Sequence, residues 1–370
     1  MLPETLLAYE VQLVHALGYR RNVSLARWRS YNRLATAIRG LMRQEAKPDL
    51  IVAAVPTVSW CEAAIDYGQA QGVPVVVDVR DLWPDVYLTA LPRSLRDWGR
   101  LALTPMERQA RQVCRRADAI VGVSQSYVDW GLQLADRHST GADVPFALGH
   151  DEAALTSTER SNEQQWLRDR GVDPRKTLCI YSGLFETSYD LETVIHTARR
   201  LQDQRRDDVQ FVLCGDGGQM PELRKAAEGL RNVVLLGWVR STTITALMEW
   251  SKIGLAAYAE GALQSLPNKP FEYMAGRLAI VSSLPGELAT LLRDKQCGVP
   301  YTAGDSESLA AAIARLLDDP TQLDAIRHRG RQLFESDYAA GKIYGRFADH
   351  LAGLADPSPS VRLSFETQAA

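Results

Sequence analysis

Residues 266–276 have the sequence Leu-Pro-Asn-Lys-Pro-Phe-Glu-Tyr-Met-Ala-Gly and lie between two apolar runs, 253–258 and 278–283. Each run has the length and composition of a short buried strand, and the segment between them is typical of a loop that enters a helix. Pro270 suits the first position of that helix, where its missing N–H costs no hydrogen bond. The sequence therefore predicts a strand–loop–helix–strand unit of a parallel α/β sheet.

The start of this predicted helix has the groups that an anionic ligand needs. A helix that begins there directs free backbone N–H groups and the positive end of its dipole beyond the sheet. Lys269 adds a positive charge, and Glu272 has the reach to accept hydrogen bonds from sugar hydroxyls, so the segment suggests a nucleotide-sugar site. The alternative is that the helix dipole alone favours Glu272 and that Lys269 is a solvated surface residue. This segment by itself leaves both interpretations open.

The length of the chain, 370 residues, suits two domains rather than one. Its contents of 46% apolar and 24% charged residues are typical of a soluble globular protein. The sequence contains no apolar run long enough to span a membrane and no secretory signal at its start, so we expect a cytoplasmic protein. The five cysteines are scattered and have no zinc-site spacing, which predicts free thiols, buried in a reducing compartment.

The net charge is only −3, but the basic residues are concentrated in the amino half. Arginine is frequent in residues 20–47 and again in residues 93–116, where it alternates with bulky apolar residues. Such a mixture fits a surface that rests on anionic lipid, which predicts a peripheral position at the inner face of the cell membrane. A solvated helix face is the alternative. No nucleic-acid-binding motif is present and the overall charge is acidic, so nucleic acid is not expected as a partner.

Apolar strands alternate with helical segments along most of the chain, which predicts parallel sheets covered on both faces. In the amino half the predicted strands are 49–55, 74–79 and 118–123, the predicted helices are 24–46, 59–71 and 94–116, Ser124 is a predicted helix cap, and 11–19 suits a strand or a helix end. In the carboxyl half the predicted strands lie near 177–182, 209–214, 232–236, 253–257, 279–283 and 298–301. Helices are predicted near 190–204, 220–230, 242–250, 270–275, 286–294, 306–318, 321–335 and 338–354.

A polar region at about 138–175 separates these two halves. The predicted fold class is α/β, with two Rossmann-like, doubly wound domains. The predicted domains are an acceptor-side domain at 1–155 and a nucleotide-sugar-binding domain at 156–354, followed by a disordered tail at 355–370.

Glycines follow several of the predicted strands in the carboxyl half. Ligands of open α/β sheets bind at the carboxyl ends of the strands, where glycine allows a close approach of the backbone. Any one of these glycines is also explained by an ordinary turn, but several in succession favour a binding site. The candidate binding residues are Gly183, Gly215, Asp216, Gly237, Trp238, Val239, Asn268, Lys269 and Glu272.

These motifs together resemble glycosyltransferase family 4, whose members have the two-domain GT-B fold. In the carboxyl half the resemblance rests on Tyr181-Ser182-Gly183, Val212-Leu213-Cys214-Gly215-Asp216-Gly217, Val233 to Val239 and Glu272-Tyr273-Met274-Ala275-Gly276. A narrower group of bacterial envelope and exopolysaccharide transferases is resembled through Asp78 to Asp85, Asn22-Val23-Ser24, Tyr127 to Gly131 and Tyr189 to Glu192.

The resemblance implies a retaining, metal-independent transfer from a nucleotide-diphosphate sugar, without a cofactor, to a lipid-linked or oligosaccharide acceptor across a cleft between the domains. It implies that Glu272 holds the donor ribose and that the nucleobase lies against Gly237-Trp238-Val239. The diphosphate would meet Asn268-Lys269 and the loop at Gly183. An inactive relative that serves as a scaffold in polysaccharide assembly and a nucleotide-sugar epimerase are the alternatives.

The sequence also departs from the family pattern. Gln264 stands near the place of the first of two paired glutamates, and Leu184 and Tyr189 occupy positions where many members have Arg and Lys. Lys269 and the helix dipole would therefore supply most of the charge that neutralises the diphosphate. The family usually opens with a strand and a glycine-rich loop that are not found here. We therefore expect an incomplete amino-terminal domain, with a sheet edge that a partner or a missing segment covers.

The candidate general base is Asp81, because it follows a central strand of the amino half. Transfer requires that the acceptor hydroxyl lose its proton and that the leaving diphosphate be stabilised. The predicted catalytic residues are accordingly Asp81, Lys269 and Glu272. An N-cap role or a salt bridge to Arg80 is the alternative for Asp81, and Asp85 is a lesser candidate.

Overall fold

The computed structural model describes residues 9–16, 18–19, 24–89, 91–152 and 154–356. Contacts within the chain group it into two units, one that ends at Pro145 and resumes at Ala348, and one from Phe146 to Phe347. The predicted domain bounds remain predictions. Of the predicted tail, residues 357–370 lie outside the described residues, as do residues 20–23, which include part of the basic amino-terminal stretch and of the Asn22-Val23-Ser24 motif.

The first unit contains a parallel sheet with the strand order β1-β2-β3. The strands are β1 (Ile51–Val55), β2 (Val75–Val79) and β3 (Ala119–Gly122). The helices are α1 (Leu25–Met42), α2 (Val58–Gln71), α3 (Val86–Thr89), α4 (Arg96–Arg116) and α5 (Gln125–Ala135), with a 3-10 turn at Arg93–Leu95. The central strand β2 is buried throughout, whereas the side chains of the edge strand β1 are only partly buried. This difference explains why β2 is apolar at every position except Asp78.

The second unit contains a six-stranded parallel sheet with the strand order β6-β5-β4-β7-β8-β9. The strands are β4 (Thr177–Ser182), β5 (Val209–Cys214), β6 (Val233–Gly237), β7 (Ser251–Ala256), β8 (Ala279–Ser282) and β9 (Gly298–Pro300). The helices are α6 (Ser157–Arg168), α7 (Leu191–Asp203), α8 (Met220–Ala226), α9 (Ser241–Trp250), α10 (Asn268–Ala275), α11 (Glu287–Asp294), α12 (Ser306–Asp318) and α13 (Pro320–Leu333). A π-helical turn, Phe334–Tyr338, follows, and α14 (Ala340–Ala355) begins in the second unit and ends in the first.

Two apolar clusters cover the faces of this sheet. Alternate residues of the same strand go to opposite clusters: Cys179 and Tyr181 face one, whereas Leu178 and Ile180 face the other. This arrangement is the period-2 pattern of a strand buried on both sides. All five cysteines are buried and free, as predicted.

Some local predictions were wrong. The polar region at 138–175 contains α6, which the composition concealed although Thr156 and Glu159 form a capping box at its start. The helix α10 begins at Asn268, so Pro270 is its third residue; proline is tolerated there because that N–H also lacks a helical partner. Ser124 is the N-cap of α5 but makes no side-chain cap hydrogen bond.

The predicted strand or helix end at residues 11–19 belongs to neither type of element where the structure describes it. Within the described ranges, no helix has the length and apolar character needed to cross a membrane. The same residues contain no group of three or more His, Cys, Asp and Glu side chains placed to hold a metal ion.

Candidate functional site

The strand order of the second unit reverses direction at β4. The chain adds β5 and β6 on one side of β4 and then places β7 on its other side. The carboxyl ends of strands at such a reversal form the usual ligand crevice of an open α/β sheet. Gly183 directly follows β4, and the loop after β7 leads into α10, so the topology directs the predicted residues to one place.

The backbone after β4 and β5 requires glycine. Gly183 and Gly215 have φ angles of +148° and +149°, in the region that side-chain-bearing residues rarely adopt. A Cβ atom on Gly215 would also overlap the carbonyl oxygen of Gly183. The two loops therefore pack backbone to backbone, with no side chain between them.

Hydrogen bonds connect these loops to the end of β6. The N–H of Gly215 donates to the carbonyl oxygen of Gly237 at 2.8 Å, and the N–H of Phe185 donates to the carbonyl oxygen of Asp216 at 2.9 Å. The Asp216 carboxylate accepts from the N–H of Gly217 at 2.8 Å. The structure thus brings Gly183, Gly215, Asp216 and Gly237 together.

The two residues after Gly237 differ in their surroundings. The Trp238 side chain is 77% exposed, whereas Val239 is half-buried against the core. An exposed indole at the carboxyl end of a strand is a suitable flat apolar surface for a base. The binding roles predicted for these residues remain predictions.

The start of α10 has two backbone N–H groups that make no hydrogen bond to the described residues. Its N-cap is Pro267 and its third residue is Pro270, and proline has no N–H. Of the four N–H positions that a helix start leaves without a helical partner, those of Asn268 and Lys269 remain. Asn268 is exposed. The prolines thus reduce the anion site predicted from the helix dipole to two N–H groups and the Lys269 charge.

The Lys269 side chain extends to the loop after β4. A Cβ atom on Gly183 would lie 2.6 Å from the Lys269 Nζ atom, so the ammonium group lies directly over this glycine. Burial lowers the pKa of Lys269 to about 8, against the opposing effect of the Glu272 carboxylate. The predicted diphosphate contacts at Gly183 and Lys269 therefore lie side by side, and the lysine does not have the environment of a solvated surface residue.

Glu272 is half-buried, one turn into α10. Among the described residues no hydrogen bond or ion pair to its carboxylate is observed, although it acts electrostatically on Lys269. Its acceptor capacity is therefore available for a ligand.

The departures from the family pattern also have structural consequences. Leu184 is 63% exposed beside Gly183. Gln264 has a buried Oε1 atom that lacks a hydrogen-bond partner in the described part of the chain.

Asp81 lies in the first unit, two residues after β2. Its predicted ion-pair partner Arg80 instead contacts Asp78, with 2.5 Å between Arg80 Nε and Asp78 Oδ2. Burial raises the pKa of Asp81 above its ordinary value, although a hydrogen bond from the Leu82 N–H and the charge of Arg27 oppose the shift. Asp81 is not the N-cap of α3, which begins at Val86. The raised pKa is typical of a carboxyl group that serves as a base.

The lesser candidate Asp85 has a structural partner. Its carboxylate accepts a hydrogen bond from the Trp130 indole at 2.9 Å.

Sequence reasoning did not single out the aromatic groups around the two candidate centres. Tyr181, Tyr189 and Tyr258 surround the Lys269 ammonium group. Each tyrosine lies in or soon after a strand that ends at this crevice, but no local sequence pattern indicates that the three rings meet.

Arg27 was also missed as a neighbour of Asp81. It lies over the Trp83 ring at 4.8 Å and donates to the Tyr31 hydroxyl at 2.7 Å. No sequence pattern indicated this contact, because it joins α1 to the segment after β2.

Comparisons with known proteins match both halves of the chain. Residues 175–319 match the family described as glycosyl transferases group 1, and residues 6–135 match the family described as glycosyl transferase 4-like domain.

Two curated relatives are glycosyltransferases of bacterial origin. One is the alpha-D-kanosaminyltransferase of Streptomyces kanamyceticus, 26% identical over 76% of this chain and 70% of the relative. The other is the putative colanic acid biosynthesis glycosyl transferase WcaI of Escherichia coli, 25% identical over 66% of this chain and 60% of the relative.

Solved structures share the fold at low identity. HepE of Anabaena in complex with UDP is 16% identical, with a TM-score of 0.66 over 87% of this chain and 82% of its own. The sucrose-phosphate synthase of Thermosynechococcus elongatus is 14% identical, with a TM-score of 0.68 over 92% of this chain and 85% of its own. The predicted fold class, α/β with two Rossmann-like GT-B domains, is confirmed.

Proposed function

The chain belongs to the glycosyltransferases of group 1 with a glycosyltransferase 4-like domain, and we therefore propose that it transfers a sugar from a nucleotide-diphosphate sugar to a glycan acceptor. The transfer proposed is retaining and metal-independent, it needs no cofactor, and it serves bacterial envelope or exopolysaccharide synthesis. The relative named for colanic acid biosynthesis supports a glycan acceptor, and the kanosaminyltransferase supports transfer of a sugar group.

The observation that carries this proposal is the position of Lys269. Its ammonium group lies over the glycine loop after β4, at the strand-order reversal of the sheet. The helix α10 that carries Lys269 begins with two N–H groups that have no partner among the described residues. A compact positive group combined with helix N–H donors suits a diphosphate. Glu272 lies one turn further along the same helix, where its carboxylate can accept from ribose hydroxyls.

In the proposed reaction the bond between the sugar C1 atom and the diphosphate oxygen breaks, and a bond from C1 to the acceptor oxygen forms. Lys269 and the α10 N–H groups stabilise the negative charge that develops on the leaving diphosphate. Asp81 takes the proton of the acceptor hydroxyl, because burial raises the pKa of its carboxyl group and so makes the carboxylate a stronger base.

The full-length chain is expected to bind a nucleoside diphosphate. Titration calorimetry with UDP, GDP and ADP should give a dissociation constant in the range of about 1 μM to 1 mM for at least one of them, the range typical of enzyme substrates. The reason is that a charged donor set bonds a diphosphate more strongly than neutral groups do. Absence of binding by all three nucleotides would contradict the donor site.

An activity assay of the same protein distinguishes the alternative functions. Incubation of the protein with the nucleotide sugar and acceptor oligosaccharides, followed by NMR of the anomeric proton, would show transfer with retained configuration. Nucleotide binding without transfer would favour the scaffold, and a changed sugar still attached to the nucleotide would favour an epimerase. Full activity in the presence of EDTA is expected for a metal-independent enzyme.

We further propose that the acceptor is lipid-linked and that α4 contacts an anionic membrane, which would place the protein at the inner face of the cell membrane. Leu95, Trp98 and Leu101 are 49%, 72% and 68% exposed and recur at helical spacing at the start of α4. Exposed arginines, including Arg100 and Arg108, flank this stripe. Apolar side chains beside cations suit the interface of an anionic bilayer. The side chain of Arg93, part of the predicted patch, lies outside the described part of the chain.

The double substitution Arg100→Gln/Arg108→Gln is expected to weaken binding to anionic vesicles by roughly 30-fold. Each basic residue near such a surface contributes about 1 kcal/mol, and 1.4 kcal/mol corresponds to a factor of ten. Vesicle flotation at low and high salt measures the effect, which salt should reduce.

The matched control for this pair is Arg224→Gln/Arg231→Gln, which removes two exposed arginines from the second unit. It should leave flotation unchanged although the net charge falls equally. Equal loss in both double variants would mean that only net charge matters. No flotation of the unmodified protein with any vesicle would leave α4 as a solvated face.

A further inference from the structure

Three tyrosine rings surround the ammonium group of Lys269. Its Nζ atom lies 4.2 Å from the ring centroid of Tyr189, 5.2 Å from that of Tyr181 and 5.9 Å from that of Tyr258. All three distances are within the range of cation–π attraction, about 6 Å. Gly183 closes another side, because a Cβ atom there would lie 2.6 Å from Nζ. We call these three tyrosines the lysine cage.

Two rings of the lysine cage belong to the core. Tyr181 and Tyr258 are 0% and 1% exposed, on the neighbouring strand ends of β4 and β7. The Tyr189 ring lies between them, at centroid distances of 5.7 Å and 5.4 Å. The hydroxyl of Tyr181 donates to the carbonyl oxygen of Leu184 at 2.7 Å. These contacts fix the orientation of the rings.

The backbone holds Tyr189 in place from both sides. The N–H of Ala259 donates to the carbonyl oxygen of Ser188 at 3.0 Å. The N–H of Asp190 donates to the carbonyl oxygen of Ala257 at 3.2 Å. Tyr189 therefore sits on a short segment that is bonded to the end of β7. Its ring is the closest of the three to the ammonium group, and it is only half-buried, so it can be replaced with less damage to the core than the other two.

Resting on the proposed function, we infer that Tyr189 is a positioning residue for Lys269. Its ring holds the ammonium group over Gly183 and keeps water away from it, so that the site binds a diphosphate while Lys269 is protonated and loses affinity as the pH rises above neutrality. The lysine cage thus makes binding of the donor at this site sensitive to pH.

The electrostatics agree with this geometry. Burial lowers the pKa of Lys269 to about 8, and Glu272, on the same helix, opposes this shift. Burial raises the pKa values of Tyr181 and Tyr189 and of Tyr273, the next residue of α10. These hydroxyls therefore stay neutral when Lys269 titrates. Within the described residues, the charge that acts on Lys269 is that of Glu272 on its own helix, while Tyr181 of β4 and Tyr258 after β7 present aromatic rings.

A bound diphosphate favours the protonated lysine, so the pKa of Lys269 rises on binding. By linkage, the protein takes up a proton when it binds a diphosphate above about pH 8, and the dissociation constant rises by up to about tenfold per pH unit. The second ionisation of a phosphate lies near pH 6, below this window.

The test is calorimetry of the full chain with UDP from about pH 7 to about pH 9, in two buffers with different heats of ionisation. For the unmodified protein we expect affinity to fall by up to about tenfold between pH 8 and pH 9, with proton uptake. Lys269→Arg should remove both effects in this window, because a guanidinium keeps its proton up to a pH above about 12. The Lys269→Arg variant is also the control for titration of the nucleotide base, which would change the affinity of both proteins equally.

Two substitutions separate the ring of Tyr189 from its hydroxyl. Tyr189→Phe keeps the ring and should leave the pH midpoint unchanged. Tyr189→Met fills the space without a ring and should move the midpoint to lower pH, because burial is retained while the cation–π attraction that favours the protonated lysine is lost. Tyr344→Met, at a 43% exposed tyrosine of α14, is the matched control and should change nothing. A Tyr189→Met protein that is folded and has an unchanged midpoint would overturn the inference.

Direct observation of Lys269 keeps the inference testable if Tyr189→Met does not fold. The NMR signal of the Lys269 ε-methylene carbon in the free, unmodified protein should titrate near pH 8. Titration at the ordinary lysine value of about 10.4 would overturn the cage. Absence of UDP, GDP and ADP binding at every pH would instead contradict the proposed function, while the NMR titration would still decide whether the cage exists.

Discussion

Replacing Asp81 with asparagine is expected to lower kcat/KM by about 10²–10⁴-fold, the contribution typical of a general base. Asparagine keeps the shape of the side chain but cannot take the proton of the acceptor hydroxyl. The measurement is the steady-state rate of sugar transfer at saturating nucleotide sugar and varied acceptor, which gives kcat/KM for the acceptor. The nucleotide affinity should remain unchanged, because the proposed donor residues belong to the second unit.

The same substitution is expected to leave stability unchanged or to increase it. Burial outweighs the Leu82 N–H and the charge of Arg27, so the folded-state pKa of Asp81 is raised. A raised carboxyl pKa means that the charged form costs folding free energy. This cost is absent below the unfolded pKa and is complete above the folded one. The free energy of unfolding should therefore fall with rising pH through this window in the unmodified protein, and fall less in Asp81→Asn.

Activity should have the opposite pH dependence. A base acts when it is deprotonated, so kcat/KM should fall as the pH drops through the raised pKa of Asp81. Asp85→Asn is the matched control, because Asp85 accepts a hydrogen bond from the Trp130 indole that the asparagine amide oxygen can also accept, and little loss of transfer is expected. Full activity of Asp81→Asn would exclude the base role. A large loss of stability in Asp81→Asn would favour a structural role.

The sequence was most informative where burial is continuous. The strands β2, β4 and β5 are apolar runs because both faces of each strand are covered, and their predicted bounds differ from the observed ones by at most one residue. The helix α6 was missed because it is mostly polar, and α3 because four residues leave no period to detect. Local pattern therefore predicts elements that a core stabilises and misses those that caps and short contacts stabilise.

Within the site, the sequence predicted the residues that carry charge but not the groups that surround them. Lys269 and Gly183 were assigned to one ligand, and the structure places them in contact. The lysine cage was not predicted because Tyr181 and Tyr258 become neighbours only when β7 pairs with β4. Pairing between strands that are distant in the chain is set by topology, which periodicity does not show.

Replacing Glu272 with alanine is expected to weaken UDP binding by about 10- to 150-fold. A hydrogen bond to a charged group contributes about 1.5–3 kcal/mol, and 1.4 kcal/mol corresponds to a factor of ten. The carboxylate is half-buried, and within the described residues it has no observed hydrogen-bond donor that its loss would leave unpaired. Thermal unfolding should therefore change little, whereas calorimetry with UDP should show the loss.

Part of this loss would reach the ligand through Lys269. The Glu272 carboxylate raises the pKa of Lys269 against the effect of burial, so its removal leaves less protonated lysine at a given pH. Measuring Glu272→Ala about two pH units or more below the value of about 8 that Lys269 has in the unmodified protein keeps this indirect contribution small, because the lysine then stays protonated although its pKa has fallen. The direct contribution should then dominate.

A ligand without ribose hydroxyls isolates that direct contribution. The 2′,3′-dideoxy form of UDP should bind the unmodified protein more weakly than UDP does, and Glu272→Ala should bind the two ligands almost equally. Glu222→Ala is the matched control, because Glu222 is an exposed glutamate in the first turn of α8 in the same unit; it should retain the full preference for UDP. If Glu272→Ala weakened both ligands by the same factor, the carboxylate would act on Lys269 or on α10 rather than on the ribose. A nucleotide affinity that fell only together with the unfolding temperature would instead identify Glu272 as a residue that stabilises the start of α10.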